Sequence, residues 1–151
     1  MDQCRIEEVR WATHAAALSA VRFAVFVEEQ QVPRELELDG LDPTARHVLA
    51  CDAAGRPIGT ARLLPDGQIG RVAVLPAWRG QGLGRALMAA VLAIARAAGH
   101  VEVFLHAQEQ VIPFYTRLGF QAEGDRFFEA GIPHRLMRLR LTPASSSSTH
   151  R

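Results

Sequence analysis

A glycine-spaced segment lies near the middle of the chain, between an apolar run and an amphipathic pattern. Gly80, Gly82 and Gly84 alternate with other residues, and Arg79 and Arg85 bracket them. Glycines let a backbone turn tightly and approach a ligand, and the first turn of a helix presents unpaired N–H groups at the positive end of its dipole. The spacing therefore predicts either a phosphate-binding loop, to which the two arginines add charge-assisted contacts, or a plain tight turn.

Two common phosphate-binding motifs do not match this segment. A Walker loop ends in Gly-Lys-Ser/Thr, whereas Arg85 and Ala86 follow Gly84, so the lysine and the magnesium-binding hydroxyl are missing. A dinucleotide fingerprint needs a third glycine where Arg85 stands. Glu102 lies near the distance expected of a ribose-binding acid, but the strands predicted before the loop are antiparallel. The Walker interpretation fails, and the dinucleotide interpretation ranks low.

Hydrophobic patterning predicts the elements before the glycine segment. Residues 5–11 predict a strand, and Thr13 can cap a helix with apolar residues at helical spacing. Residues 28–42 predict a long loop without regular structure, which holds six acids and one arginine. Such a loop would favour a cationic substrate if it lined a binding site, although a run of charges is more often only a solvated surface. Three strands of an antiparallel meander follow, at residues 47–51, 57–64 and 68–75.

The second half of the chain predicts a helix, a buried strand and a final hairpin. The helix after the glycines ends at Gly99, and its predicted buried face comprises Leu83, Leu87, Ala90, Val91, Ile94 and Ala98. Residues 101–105 form a nearly continuous apolar run, which predicts a strand buried on both faces. A loop and short helix over 108–118 and two strands, from residue 120 and over 135–141, complete the domain. The Ser-rich residues 143–151 predict a disordered tail, which leaves one domain over 1–142.

Composition narrows the class of protein. The chain of 151 residues suits one domain, and its net charge of +1, with both signs mixed, disfavours nucleic acid as a partner. Cys4 and Cys51 lack the spacing of a metal site or a disulfide framework, so we expect no metal and a reducing compartment. No targeting pattern or membrane-length apolar run is seen, and we therefore expect a cytoplasmic protein without membrane contact.

Two motifs at consistent positions carry a family resemblance. Residues 79–84 match the pattern [Q/R]-x-x-G-x-[G/A], and with the preceding strand they resemble motif A of the GNAT superfamily of acyl-CoA N-acyltransferases. Residues 114–120, Phe-Tyr-Thr-Arg-Leu-Gly-Phe, are similar to the FYxxxGF segment of that family. The resemblance spans nearly the whole chain to about residue 141. It implies an α/β (α+β) fold with a mixed, mostly antiparallel sheet of about six or seven strands, splayed by a V-shaped cleft and flanked by about four helices.

The resemblance implies acetyl-CoA as the acyl donor. The main chain of the strand before the loop would bind the pantetheine arm, and the loop amides would bind the pyrophosphate. The implied cofactor-binding residues are Val72, Ala73, Val74, Arg79, Gly80, Gln81, Gly82, Leu83, Gly84 and Arg85. Gln108 stands where the family often has an asparagine near the pantetheine.

Amide formation from a thioester requires a proton for the departing thiolate and a donor for the developing oxyanion. Tyr115 is the only tyrosine, and its place in the family segment makes it the candidate general acid. The reference pKa values of a thiol, about 8.5, and a phenol, about 10, are close enough for such a transfer. The Val74 N–H would meet the oxyanion. Glu29, Asp39, His47 and His134 are alternative candidate bases; none is assigned, and water could serve.

A wider pattern is similar to the ElaA-like and YjcF-like acetyltransferases. It includes Arg22 and residues 23–30, Glu37, Asp39, Asp42 and His47, and later residues 129–137. Part of it also resembles acyl-homoserine-lactone synthases, which lack the glycine loop, and these remain a distant alternative. Arg22, Glu29, Asp39, His47 and His134 are the candidate acceptor-side residues. The predicted function is acetyl transfer to the primary amine of a small molecule or peptide, with a homodimer possible; the rival is a non-catalytic acyl-CoA-binding protein.

Overall fold

Seven strands form one mixed sheet in the computed structural model, which describes residues 4–142. The strands are β1 (Arg5–Val9), β2 (Arg46–Cys51), β3 (Pro57–Leu63), β4 (Gln68–Val74), β5 (Glu102–Gln108), β6 (Gln121–Glu129) and β7 (Ile132–Arg140). Their spatial order is β1-β2-β3-β4-β5-β7-β6, with β4 and β5 parallel and the other neighbours antiparallel. The predicted mixed, mostly antiparallel sheet is confirmed. The predicted disordered tail over 143–151 lies outside the described residues.

Four α-helices accompany the sheet within residues 4–142. They are α1 (Trp11–Arg22), α2 (Arg34–Glu37), α3 (Leu83–Ala97) and α4 (Ile112–Arg117). A π-helical segment, Phe23–Glu29, continues α1, and short 3₁₀ turns occur at Asp42–Thr44, Pro76–Trp78 and Glu109–Val111. The predicted number of helices is therefore confirmed.

The start of α1 differs from the predicted Thr13 cap. Arg10, which has extended backbone angles, precedes the first helical residue. The Thr13 hydroxyl donates backwards to the Arg10 carbonyl at 3.3 Å and lies 2.8 Å from Nδ1 of His14. The prediction of Thr13 as the cap is wrong, because its side chain bonds to the carbonyl of Arg10, three residues earlier, instead of to amides of the following turn.

The acidic segment over residues 28–42 is not an unstructured loop. The π-helical end of the first helix reaches Glu29, and α2 begins five residues later, at Arg34. Pro33 starts α2, and its carbonyl accepts the amides of Leu36 at 2.9 Å and Glu37 at 3.2 Å. The prediction of a segment without regular structure is wrong, since Pro33 begins a helical turn instead of only breaking one.

The buried face of α3 is rotated relative to the prediction. Leu83, Leu87 and Val91 are buried as expected, but Met88, Leu92 and Ala95 are buried too, while Ala98 is exposed. Ala90 and Ile94 are half-buried at the edge of this face. The helix packs across β2, β3 and β4, and the width of that contact selects the face. Gly99, at φ +91°, ends the helix as predicted.

Strand β5 is buried on one face, and the prediction of burial on both faces is wrong. Val103, Leu105 and Ala107 are buried in the core, whereas the residues between them are half-buried. Val101 precedes the strand and is 66% exposed. The half-buried face of β5 is therefore available to form a site.

The sheet opens between β4 and β5. These strands pair only through Gln68 with Phe104 and Ile69 with Leu105, and they diverge beyond that point. A bulge in β4 lies at the start of the divergence, because the register with β3 slips between Thr60 and Arg62. Arg71 occupies the bulge with a left-handed φ of +49°, and the bulge redirects the strand. The predicted V-shaped opening is confirmed.

Candidate active site

A cleft of about 1070 Å³ occupies the opening between β4 and β5. Its wall on one side is β4 with the glycine segment and the start of α3; on the other side are β5, α4 and the turn between β6 and β7. Strands, helices and loops distant in sequence therefore meet around one cavity large enough for an extended ligand.

The glycine segment forms the turn that leads into α3. Gly80 and Gly82 have φ values of +77° and +87°, which L-residues rarely adopt, and no atom lies within 4 Å of where a Cβ would stand at either position. The first intrahelical bond runs from the Ala86 amide to the Gly82 carbonyl at 3.1 Å. The amides of Leu83, Gly84 and Arg85 precede it, so they are free of intrahelical acceptors at the cleft. This geometry suits a phosphate group.

The edge of β4 turns main-chain groups toward the cleft. The Leu75 amide donates to the Ile58 carbonyl of β3 at 3.0 Å. Because such bonds alternate along an antiparallel ladder, the N–H and C=O of the neighbouring Val74 point to the opposite edge. Val72, Val74 and the glycines line the same cleft, whereas Ala73 is buried toward the core. Val74 thus offers an N–H at the point where the sheet is open.

Arg79 is engaged with the protein. Its Nε donates to the Val74 carbonyl at 2.9 Å, and its terminal nitrogens donate to both oxygens of Glu29 at 2.8 and 2.6 Å. The hydrogen bond from Arg79 holds the pKa of Glu29 below its ordinary value. The predicted phosphate ligand and a predicted acceptor-side residue therefore form one ion pair, which ties the end of the π-helical segment to β4.

Gln81 and Gln108 are also held by internal contacts. The side-chain Nε2 of Gln81 donates to the Ala77 carbonyl at 3.2 Å. The Gln108 Nε2 donates to Oε1 of Gln30 at 2.8 Å, and its own Oε1 accepts from Gln110 at 2.7 Å. Gln108 and Gln30 both line the cleft, so this contact bridges the π-helical segment and β5.

Tyr115 lies at the inner wall of the cleft. It is 8% exposed, and its ring makes edge contacts with Phe114 and Phe120. Burial raises the pKa of Tyr115 to about 12. The reference value near 10 used for the sequence is therefore too low for this phenol, which stays protonated over the whole neutral range.

His134 belongs to a cluster of aromatic and acidic side chains on the half-buried face of the sheet. His106 Nδ1 lies 2.7 Å from one oxygen of Glu129, and His134 Nε2 lies 3.9 Å from the other. Phe127 stacks on His134 and makes an edge contact with His106. The hydrogen bond raises the pKa of His106 and lowers the pKa of Glu129. His106, Glu129 and His134 all line the cleft.

The sequence assigned no role to His106 or Glu129. A signal for His106 existed, because it alternates with Leu105 and Ala107 along β5 and therefore shares a face with Gln108. Gln108 is directly opposite His134 in the β5–β7 pairing, so all three lie on one face. No spacing along the chain indicates Glu129, since the β6–β7 hairpin brings it to this place.

Arg22 and His47 do not line the cleft. Arg22 is 1% exposed and donates to Glu37 at 2.7 Å and to Asp42 at 2.9 Å. His47 is equally buried, and its Nε2 lies 3.0 Å from the Asp42 carbonyl. Burial lowers the pKa of His47, so this imidazole is neutral at pH 7. Both residues have structural partners beneath the site.

Asp39 lines the cleft but is paired with two arginines. Arg62 donates to both of its oxygens at 3.0 and 2.9 Å, and Arg71 donates at 3.1 Å. Partial burial alone would raise the pKa of Asp39, but the bonds from Arg62 and the Leu41 amide and the two positive charges lower it to about 2. Asp39 is consequently a carboxylate whose charge is already balanced.

These contacts revise the expected potential of the acidic segment. Glu37, Asp39 and Asp42 alternate with Arg22, Arg62 and Arg71 in one charge network, and Glu29 is paired with Arg79. Four of the six acids are thus neutralised within the protein. The argument that this segment attracts a cation by its unbalanced charge is wrong, because the sequence did not reveal the arginines that β3, β4 and α1 bring to it.

Two further properties follow from the side chains of residues 4–142. No group of three or more His, Cys, Asp or Glu in this part of the chain could hold a metal ion. Among the same residues, no helix is long and apolar enough to cross a membrane.

The fold and the cleft agree with comparisons to known proteins. A family model described as an acetyltransferase (GNAT) domain matches residues 13–141, and the chain belongs to this family of GNAT acetyltransferases. It is 37% identical over 118 residues to the uncharacterized N-acetyltransferase YjcF of Bacillus subtilis, covering 76% of this chain and 84% of that protein.

Two solved structures share the whole architecture. Escherichia coli ElaA superposes with a TM-score of 0.80 at 31% identity, and an acyl-CoA N-acyltransferase from Pseudomonas aeruginosa does so with 0.80 at 34% identity. Each alignment covers 89% of this chain and 98% of the other chain. The resemblance to the YjcF-like and ElaA-like branch is thereby confirmed.

Proposed function

We propose that the protein is an acetyl-CoA-dependent N-acetyltransferase that acylates a primary amine by direct attack in a ternary complex. One observation carries the proposal: the free amides at the start of α3, the outward N–H of Val74 and the buried Tyr115 all border one cleft. A CoA thioester needs a phosphate-binding end and a reactive end, and this cleft has chemistry suited to both.

In the proposed complex, the amides from Gly80 to Arg85 bind the pyrophosphate, and the edge of Val72 to Val74 binds the pantetheine arm. The Val74 N–H stabilises the oxyanion of the tetrahedral intermediate. Tyr115 donates its proton as the C–S bond breaks, and thiol and amide are released. Arg79 acts by holding the Val74 carbonyl and the end of the π-helical segment, since its own donors already have protein partners.

One assay distinguishes the proposed acetyltransferase from the rival hypothesis, a non-catalytic acyl-CoA-binding protein. Release of free thiol from acetyl-CoA is monitored in the presence of alkylamines, polyamines, amino acids, peptides and aminoglycosides. The masses of the products are measured by mass spectrometry. We expect amine-dependent thiol release together with a mass increase of one acetyl group on the amine. Binding of acetyl-CoA without turnover on any amine would favour the binding protein.

A further inference from the structure

Glu129, His106 and His134 form a cluster beside the cleft that the donor chemistry does not use. Glu129 lies at the end of β6, His134 near the start of β7, and His106 in β5. The Glu129 side chain is 47% exposed, and that of His134 is 9% exposed. The cluster therefore consists of one accessible carboxylate and two less exposed imidazoles.

The contacts of His134 determine which of its nitrogens is basic. Its Nδ1 lies 2.7 Å from the Ile132 carbonyl. A carbonyl oxygen can only accept, so Nδ1 carries the proton, and in the neutral ring Nε2 holds the lone pair. The stack on Phe127 fixes the orientation of this ring. In the neutral ring, the basic nitrogen of His134 is therefore the one that lies toward Glu129.

The hydrogen bond to His106 leaves one oxygen of Glu129 available. Oε2 lies 2.7 Å from His106 Nδ1, whereas Oε1 lies 3.9 Å from His134 Nε2. A nitrogen at a hydrogen-bond distance of roughly 2.8 Å from both Oε1 and Nε2 would make an angle of roughly 90° between them, close to what an ammonium group offers. One –NH₃⁺ group could consequently contact both atoms at once.

The other charges and the apolar lining limit the rest of the ligand. Arg71 is a more distant positive charge facing Glu129, and Asp66 is a further negative charge near His106. The acids of residues 29–42 that line the cleft, Glu37 and Asp39, are already paired with arginines. Leu36 and Leu41 line the same cleft and are 54% and 43% exposed. One cation-binding point in a cleft that also has apolar lining matches a monoamine better than a polycation.

We infer that Glu129 and His134 form the acceptor site, in which Glu129 binds the primary ammonium group of a monoamine with an apolar body and His134 accepts its proton. This inference rests on the proposed acetyl transfer. The ammonium gives one proton to His134 Nε2, and the neutral amine nitrogen attacks the thioester carbon. A C–N bond forms and the C–S bond breaks; Tyr115 protonates the departing thiolate, and the second proton lost by the nitrogen returns Tyr115 to its neutral form. His134 then releases its proton to solvent.

The test is a titration of n-butylammonium into the protein saturated with CoA. The imidazole NMR signals of isotope-labelled histidines report the binding. His134→Gln and His106→Gln variants assign the signals. We expect the Nδ1–H tautomer of His134, saturable shifts of both signals with n-butylammonium, and no such shifts with n-butanol, which lacks the charge. Glu129→Gln should weaken binding of the amine by about tenfold or more. Glu123→Gln, an exposed change in the same strand, is the matched control and should bind as the wild type does.

Two readouts separate this inference from the proposed function. Acetyl-CoA binding, measured by calorimetry, should be equal in the wild type and Glu129→Gln. If neither protein binds acetyl-CoA, the proposed donor site is contradicted and not the acceptor site. With n-butylamine as the acceptor, Glu129→Gln should raise KM and His134→Gln should lower kcat. Unshifted histidine signals, an Nε2–H tautomer, or equal amine affinity in Glu129→Gln and Glu123→Gln would overturn the inference.

Discussion

Tyr115 occupies an environment that makes its phenol a weak acid. With a pKa of about 12, transfer of its proton to a thiolate of ordinary pKa, about 8.5, would be unfavourable by roughly 5 kcal/mol. In the proposed complex the departing sulfur would enter the same desolvated surroundings, and burial raises the pKa of a thiol as well. The proposed proton transfer from Tyr115 would therefore depend on a dry cleft, in which both pKa values rise together.

Replacement of Tyr115 by Phe removes the proton donor and keeps the ring contacts with Phe114 and Phe120. We expect kcat for thiol release to fall by about 10²-fold while the affinity for acetyl-CoA, measured by calorimetry, is unchanged. Because burial raises the pKa of Tyr115 above that of a free phenol, the acid form persists through pH 10. The wild-type rate should accordingly show no loss due to Tyr115 between pH 7 and 10. Full activity of the Phe variant would refute the general-acid role.

The sequence was informative about single residues where local geometry decides their role. Gly80 and Gly82 were predicted at a tight turn, and both have positive φ. Arg22 and His47 were predicted near an acceptor, yet both are buried among ionic partners. Nothing in the sequence tells a buried charge from a ligand-binding one, because the distinction depends on which arginines and acids the fold brings together. For the same reason the sequence assigned His106 no role, and Glu129 none beyond its place in the family pattern.

The bulge in β4 and helix α2 act as one element, because the charge network joins them. The side chain of Arg71, which lies in the bulge, donates to Oε2 of Glu37 at 3.0 Å, and the same oxygen accepts from Arg22 at 2.7 Å. Glu37 is 2% exposed, so these arginines and not water balance its charge, through Oε2 alone, since its buried Oε1 has no hydrogen-bond partner. We infer that this contact helps to hold the strand bend from which the cleft opens.

Glu37→Gln should destabilise the fold, since it leaves buried Arg22 with one acid fewer. We expect the free energy of unfolding in urea to fall by about 3 kcal/mol. Glu35→Gln, an exposed change in the same short helix, is the matched control and should change it by less than about 0.5 kcal/mol. Equal stability of the two variants would show that the network does not contribute to the fold.

The sequence predicted where helices and strands lie more reliably than which of their faces are buried. The strands and the long helix α3 were predicted within a few residues, because period-two and helical patterns with Gly99 as a stop are local signals. The rotation of the α3 face toward Met88 and Leu92 was missed, since the neighbouring strands determine it. The short helix α2 was missed because Pro33 and the dense charges of this segment resemble those of a loop.

At the scale of the whole molecule, the sheet consists of two parts joined by the short contact between β4 and β5. The first part carries the glycine turn and the free edge at Val74, and the second carries Tyr115, His106 and His134. The resemblance to a family predicted this division, and hydrophobic patterning alone did not, because an opening between two strands leaves no periodic signal. The central claim is that a CoA thioester binds across this division.

Calorimetric titration of acetyl-CoA into the wild type, Gly82→Asp and Gly55→Asp tests that claim most directly. Both glycines have similar positive φ values, +87° and +84°, and open space at the Cβ position, so the two changes impose comparable backbone strain. Gly55 lies in the turn between β2 and β3, outside the cleft. We expect Gly55→Asp to bind acetyl-CoA like the wild type and Gly82→Asp to lose binding, because its carboxylate would stand at the proposed position of the pyrophosphate. Equal affinity of the two folded variants would contradict the assignment of the cleft.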